Sequence, residues 1–354
     1  MTSYAPLQLD YKPRFPDGYR PGIGIIGCGG IVRGGHLPAY KKYGLNVVGA
    51  YDIRPEAVRA AQQEFGFARA YETLDELLAD PQVEVVDIAT HPDQRVPLIR
   101  RALEAGKHVL AQKPLALDAR AAAEVVEEAR RRGLRLAVNQ NGRWAPAWRI
   151  ATLLVQQGAI GDVLAVTHLY DMKFSWIPGT VFDSIPHFAI YDYSVHWIDI
   201  TRCWMEGKEL TAVRARDYRT PNQPAHAIGN WGHWVEFSYA DGANAMIRGA
   251  ACSETRVNGH PFWIHGSQGT IRGSVLGAAD FVELERDGAF VRYTLEGSWF
   301  PDGFGGTSGE LLCAIAEGRE PFNSAAHNLL SLQMTLAACK SADLDGAPVT
   351  VEPL

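Results

Sequence analysis

Cysteine is scarce in this chain of 354 residues. The five cysteines, Cys28, Cys203, Cys252, Cys313 and Cys339, are scattered and form no C-x-x-C pair. That excludes both a zinc-ribbon type of metal site and a disulfide framework. A concentration of one charge is also lacking. The net charge is −6 with no basic block, so no nucleic-acid partner is expected. No apolar run is long enough to span a bilayer. Residues 1–20 hold charges and prolines where a signal peptide would have an apolar core. No membrane partner is therefore expected, and the expected compartment is a reducing cytoplasm. Internal repeats are absent. What is present, 47% hydrophobic and 21% charged residues, is the composition of an ordinary globular enzyme with room for two cores.

One stretch organises the rest: Gly22-Ile23-Gly24-Ile25-Ile26-Gly27-Cys28-Gly29-Gly30-Ile31-Val32. It reads as a short apolar strand running into a glycine turn and then a helix. The literal G-x-G-x-x-G at Gly22, Gly24 and Gly27 would put the turn inside the apolar run. The register that makes physical sense starts at Gly27, which makes the tight turn. Gly29 then lets the backbone approach a pyrophosphate, and the amides of Gly30 and Ile31 point at the anion. Val32 stands where a third glycine usually allows close helix–strand packing. A second strand from Asn46 ends in Asp52, about 25 residues after Gly27 and near the ~20 expected for the acid that binds the adenine ribose. Asp52 would accept from both ribose hydroxyls and repel a 2′-phosphate, which favours NAD over NADP; Arg54 partly offsets that repulsion. The plainer alternative is a structural turn followed by an aspartate that caps the helix at Pro55.

Prolines at 6, 13, 16 and 21 make residues 1–21 an irregular arm. From 22 to 145 the pattern alternates strand and helix. Helices are expected at 55–65, 74–78, 94–105 and 118–132, with strands at 83–89, 107–111 and 134–138. Short connections between such units predict a doubly wound parallel sheet of the Rossmann kind. The pattern changes near Asn139. A helix at 146–157 leads into longer alternating runs at 163–171, 210–218, 231–239, 244–251, 261–265, 281–285 and 290–295. Asp241-Gly242 and Asp287-Gly288 separate neighbours as hairpin turns do. Residues 146–354 are thus predicted to form an α+β domain with a large, mostly antiparallel open sheet. Helices at 305–317 and 325–342 close the chain, the last free to pack back on the first domain.

Open parallel sheets bind ligands at the carboxyl ends of their strands. Thr90 and His91 follow one such strand, and Gln112, Lys113 and Pro114 follow the next. Lys113 sits where a nicotinamide would lie, although a lysine there can equally be a solvated charge. A second constellation is Asp192, His196 and Asp199, spaced to share one helical face. A histidine between carboxylates can serve as a general base held in one tautomer. It can also be a buried polar cluster without chemistry.

Taken together, several motifs are characteristic: Gly27-x-Gly29-Gly30-Ile31, Ala105-Gly106-Lys107-His108-Val109 followed by x-Lys-Pro, Arg143-Trp144-x-Pro146, Gly158-Ala159-Ile160-Gly161-Asp162, and D-x-x-x-H-x-x-D from Asp192. From about Gly22 to Ala342 the chain resembles the glucose–fructose oxidoreductase, inositol dehydrogenase and rhizopine-catabolism (Gfo/Idh/MocA) family. The resemblance implies an N-terminal Rossmann domain and a C-terminal domain whose open sheet forms a homodimer or homotetramer interface. It implies a bound NAD and a carbohydrate or polyol substrate lying between the domains. It places the family's lysine on Lys113 and its aspartate and histidine on Asp192 and His196. His196 would take the hydroxyl proton, Lys113 would stabilise the alkoxide, and Asp192 would hold a neighbouring hydroxyl. Gln112 replaces the usual glutamate, which removes an anion next to Lys113. His91 replaces a common proline, and Arg95 stands where histidine is frequent. Arg143 is a candidate for the cofactor or for an anionic group of the substrate, and Trp144 for the cofactor. Tyr170 and Trp176 are candidates for the sugar, aromatic rings being suited to a sugar's C–H face.

The reading is therefore an NAD-dependent dehydrogenase acting on a sugar, inositol or sugar-derivative hydroxyl. One alternative is a redox-assisted glycoside-cleaving enzyme that recycles bound NAD and takes Tyr170, His168 or His187 as a second base. Another is a non-catalytic dinucleotide sensor. Isolated histidines such as His226 and His233 do not make a metal site.

Overall fold

Strands covered on both faces carry apolar side chains without alternation, and Ile23–Ile26 and Val85–Ile88 are buried at every position. The structure is a computed structural model that describes residues 7–172, 174–221, 223–251, 259–277, 280–352 and 354. Residues 1–6 of the expected arm and Cys252 lie outside the described residues. Contacts divide the chain into two units. Of the described residues, one unit holds those of Lys12–Trp144 and Ser298–Leu329; the other holds those of Ala145–Gly297 and Leu330–Pro353 with 7–11.

The first unit begins with β1 (Ile23–Ile26), α1 (Leu37–Tyr43), β2 (Val47–Tyr51), α2 (Pro55–Phe65), β3 (Arg69–Ala70), α3 (Leu74–Ala79) and β4 (Val85–Ile88). It continues with α4 (Pro92–Glu104), β5 (His108–Gln112), α5 (Ala119–Arg131) and β6 (Leu136–Asn139). The strands form one sheet in the order β3-β2-β1-β4-β5-β6, with every neighbouring pair parallel. The chain reverses direction across the sheet at β1 and β4, the place where such sheets open a ligand crevice. Ile25, Ala50, Val58, Val85 and Leu110 contribute to the core beneath.

The second unit contains α6 (Pro146–Gln156), β7 (Val163–Tyr170), α7 (Val195–Trp204), β8 (Leu210–Tyr218), β9 (Gly232–Tyr239), β10 (Asn244–Gly249) and β11 (His260–Gly266). β12 (Thr270–Val275), β13 (Phe281–Arg286) and β14 (Ala289–Tyr293) complete its sheet. The eight strands lie in the order β14-β13-β12-β11-β7-β10-β9-β8. β7 and β10 pair in parallel, and the remaining neighbours pair antiparallel. The sequence pattern did not point to β12, because Gly273 interrupts it. A Cβ at Gly273 would come within 2.5 Å of both the Phe262 ring and the Phe281 carbonyl, so the strands on either side close only over a glycine.

Residues 298–329, which sequence reading placed in the second domain, make their contacts within the first unit. They contain α8 (Phe304–Glu317) and the start of α9 (Ala325–Asp343). Asn323 seals the outer edge of β6. Its carbonyl accepts from the Val138 N–H at 2.8 Å, and its Nδ2 donates to the Val138 carbonyl at 3.1 Å. Part of the arm is ordered against the same unit: Arg14 pairs with Glu317 at 2.9 Å, and the Phe15 ring packs on Tyr43. Among the described residues, no helix is long and apolar enough to cross a membrane.

Candidate active site

The glycine turn follows β1 directly. Gly27 has φ +94, and a Cβ there would press against the Ala89 carbonyl at the end of β4. A helix starts at residue 30 and runs to Tyr43, with a π-type turn over Val32–His36 where the third glycine is missing. Asp52, just past the end of β2, accepts from the Cys28 N–H at 2.7 Å through Oδ2 and from the Arg54 N–H at 2.9 Å through Oδ1. The turn thus orients the carboxylate that sequence reading aimed at a ribose. Cβ atoms added at Gly29 and Gly30 would meet nothing within 4 Å. Open backbone at these glycines, a helix N-terminus and an oriented carboxylate together fit a dinucleotide. Burial, with Asp52 and Asp87 adding to it, pushes the Cys28 thiol up to about 12, so Cys28 lines the turn as a neutral group.

The next two strand ends are tied together. Arg95 of α4, itself buried, donates to the Thr90 carbonyl after β4 and to the Pro114 carbonyl after β5. This arginine clips the loops that carry Thr90, His91 and Lys113. Lys113 is half-buried, and its N–H donates to Gln112 Oε1 at 2.7 Å. The Gln112 side chain therefore turns inward from its lysine. Its Nε2 lies 3.2 Å from His36 Nε2, and Asn139 Nδ2 lies 3.1 Å from the same ring nitrogen. His36 Nδ1 meets Asp87 Oδ2 at 2.7 Å, and the Tyr40 hydroxyl donates to that oxygen at 2.6 Å. Sequence reading singled out neither His36 nor Asp87. The available signal was Asp87 itself, a charged residue inside the apolar strand Val85–Ile88, which has to find a buried partner.

In the second unit, Asp192 belongs to a π-helical turn, Ala189–Tyr193, and His196 lies in the first turn of α7. Both are half-buried. Asp199 is not their equal: it is 1% exposed, and its Oδ1 accepts from Ser331 at 2.7 Å, which makes it part of the interior. Beneath the π turn, the Tyr170 hydroxyl lies 2.6 Å from Ser194 Oγ and 2.5 Å from His233 Nε2, and Ser194 Oγ lies 2.7 Å from that same nitrogen. His233 Nδ1 donates to the Trp231 carbonyl, so Nε2 is the acceptor of this buried trio. Burial pushes the His233 imidazole down to about 4 and the Tyr170 phenol well above its ordinary range. Tyr170 therefore braces the segment from inside, and its hydroxyl is committed there.

Other expected contacts fall elsewhere. Arg143 is 1% exposed and donates to the Phe322 carbonyl at 2.6 Å, with its guanidinium stacked on the Phe322 ring and 2.9 Å from His327 Nδ1. Trp144 is buried against Phe322. Both hold the end of β6 to residues 322–327. Trp176 is 49% exposed and packs edge-on against Phe182 and Phe188. Of the suggested second bases, His168 is buried beside Trp148 and Trp204, and burial pushes it down to about 3. His187 is bracketed by Asp217 at 2.9 Å and Asp343 at 3.0 Å.

The chain matches two family profiles. Residues 22–140 match the oxidoreductase family with NAD-binding Rossmann fold, and residues 148–272 match the GFO/IDH/MocA C-terminal domain. Over 185 residues it is 33% identical to D-apiose dehydrogenase of Paraburkholderia graminis, covering 50% of this chain and 48% of that protein. Over 246 residues it is 26% identical to levoglucosan dehydrogenase of Pseudarthrobacter phenanthrenivorans, covering 62% and 63%. The chain thus spans about half the length of D-apiose dehydrogenase and under two thirds of levoglucosan dehydrogenase. Its fold is that of an oxidoreductase from Agrobacterium radiobacter solved with NAD+, L-tartaric acid and magnesium. The TM-score is 0.82 at 22% identity, over 94% of this chain and 99% of that one. With its glycine turn, its two sheets and both profiles in agreement, the chain belongs to the Gfo/Idh/MocA family of oxidoreductases.

Proposed function

We propose that this protein is an NAD-dependent dehydrogenase that moves a hydride between nicotinamide and a hydroxyl of a sugar, inositol or sugar derivative. The observation that carries the reading is Lys113. It stands at the carboxyl end of an interior parallel strand, with its N–H held by Gln112, in a sheet whose glycine turn and Asp52 fit a dinucleotide. Gly27, Gly29, Gly30 and Ile31 would hold the pyrophosphate and Asp52 the adenine ribose, with Arg54, Thr90 and His91 bordering the nucleotide. NAD, when bound, supplies the hydride acceptor. His196 takes the proton of the reacting hydroxyl, Lys113 stabilises the alkoxide as its charge develops, and Asp192 holds an adjacent hydroxyl. Trp176 offers an aromatic face to the sugar. Relatives that are sugar dehydrogenases support the substrate class. Free thiols at Cys28, Cys203, Cys313 and Cys339 suit a reducing cytoplasm, and the protein would work there as a homo-oligomer.

The test is a panel of inositols, aldoses, anionic sugars and glycosides with NAD+ and with NADP+, read by absorbance and by product analysis. Stoichiometric NADH with an oxidised product is expected. Glycoside cleavage without NADH would replace this reading with the redox-neutral one. Tight NAD binding with no turnover anywhere in the panel would replace it with a sensor.

A further inference from the structure

The orientation of the Gln112 amide is fixed by chemistry. The Lys113 N–H needs an acceptor, so the atom 2.7 Å from it is Oε1. The atom 3.2 Å from His36 Nε2 is then the amide nitrogen, a donor. A ring nitrogen facing amide N–H groups from Gln112 and Asn139 holds a lone pair. Nδ1, facing Asp87 Oδ2 at 2.7 Å, holds the proton. His36 is 1% exposed, so bulk solvent does not reach the ring.

We propose that Gln112 is a positioning residue for Lys113, and that it works by anchoring on a neutral His36 with its proton on Nδ1. The proposal rests on the reading of Lys113 as the residue that meets the substrate hydroxyl. It also says what the exchange of glutamate for glutamine accomplishes in this chain. The side chain at 112 is aimed at the backbone of Lys113 and at an imidazole, so its effect is on where Lys113 is held. A carboxylate at this position could still accept from the Lys113 N–H, but it has no proton to give His36 Nε2. It would be satisfied only by a hydrogen on Nε2, which the Nδ1–H tautomer does not carry. Among the described residues, the titratable groups facing the ring are Asp87 from β4 and Tyr40 from α1, with the Cys28 thiol near enough to feel Asp87. The other faces are Gln112 on β5, Asn139 on β6 and the Phe304 ring on α8. Burial, reinforced by Asp87, keeps the Tyr40 phenol protonated. With glutamine at 112, the anchor is made by the neutral Nδ1–H tautomer. With glutamate that tautomer offers the side chain no hydrogen, and the anchor is lost.

The experiment uses the full-length protein with Gln112→Glu and Gln112→Leu. Side-chain nitrogen NMR should show His36 as the Nδ1–H tautomer in the unaltered protein. Amide hydrogen exchange at Lys113 should quicken at least ~10-fold in Gln112→Leu, and by less in Gln112→Glu, which keeps an acceptor for the Lys113 N–H but loses its anchor. With the best substrate, kcat should fall about 10-fold in Gln112→Leu with KM for NAD within about twofold, and by less in Gln112→Glu. An Nε2–H tautomer in the unaltered protein, or unchanged Lys113 exchange in Gln112→Leu, overturns the proposal. The NMR and exchange readouts need no substrate. If they come out as expected while kcat does not move, the role given to Lys113 is what fails. Gln112→Glu is nearly isosteric and keeps the test open if Gln112→Leu does not fold.

Discussion

His187 Nδ1 lies 2.9 Å from Asp217 Oδ2, and the His187 carbonyl accepts the N–H groups of Ile190 and Tyr191, which open the turn carrying Asp192. Asp217, aided by Asp343, raises this imidazole from 6.5 to about 9. A histidine raised on folding adds stability that is complete below its ordinary value and is lost as pH climbs through the folded one. The urea midpoint should therefore fall between about pH 6.5 and 9, and His187→Gln should flatten that fall. An equally steep fall in His187→Gln would assign the loss to another group.

Asp52 should decide between the two nucleotides. Titration should give tighter binding of NAD than of NADP, and Asp52→Ala should narrow the ratio. The variant also takes an acceptor from the Cys28 N–H, so NAD affinity should drop as well. Tighter NADP binding by the unaltered protein would mean that Arg54, 61% exposed at its side chain, prevails over Asp52.

Lys113 and His196 act on one proton transfer in the proposed reaction. Lys113→Ala and His196→Ala should each lower turnover by roughly 10²–10⁴-fold, the range for a lost acid–base group. The double variant should be far less impaired than the product of the two. NAD affinity should hardly change in His196→Ala. Near-normal turnover in that variant, once its fold is confirmed, would leave Lys113 as the base. Tyr170 would not inherit the role, since its hydroxyl is engaged with His233.

The second sheet carries a cross-strand row, Arg272, Trp263, Thr167, Met246 and Glu236, in which Met246 is 43% exposed and Arg272 lies over the Phe290 ring, itself 59% exposed. Exposed apolar side chains interspersed along a broad sheet favour cover by a second copy. Sedimentation should show a homo-oligomer at micromolar protein, and Met246→Glu should shift it toward monomer. A stable unaltered monomer would reject this.

The fold was legible where periodicity is strong. The βα alternation, the switch to longer alternating strands and nearly every helix follow from spacing that depends on neighbours a few residues away. β12 was hidden because a close contact with Phe262 demands a glycine there, and a glycine looks like a break. The site was legible in its sequence-local parts: the turn at Gly27, Asp52 after it, and Lys113 before a proline. The rest depends on partners far apart in sequence. Nothing near His36 announces Asp87 or Gln112, and nothing near Tyr170 announces that its hydroxyl lies against Ser194 and His233 rather than open to a sugar. Long aromatic and guanidinium side chains mislead most, because burial decides their role and burial is a tertiary property; Arg143 and Arg95 are both 1% exposed.

Asn323 carries a further consequence, for the order in which the chain is made. The strand edge it covers belongs to β6, so during synthesis the nucleotide-binding sheet emerges with that edge unpaired and stays so until residue 324 has left the ribosome. An unpaired edge on a parallel sheet invites pairing with other chains. A nascent chain stalled inside the second sheet, or a gene fragment ending near residue 145, would for that reason expose an edge open to pairing with other chains. The completed polypeptide covers that edge with its own late segment.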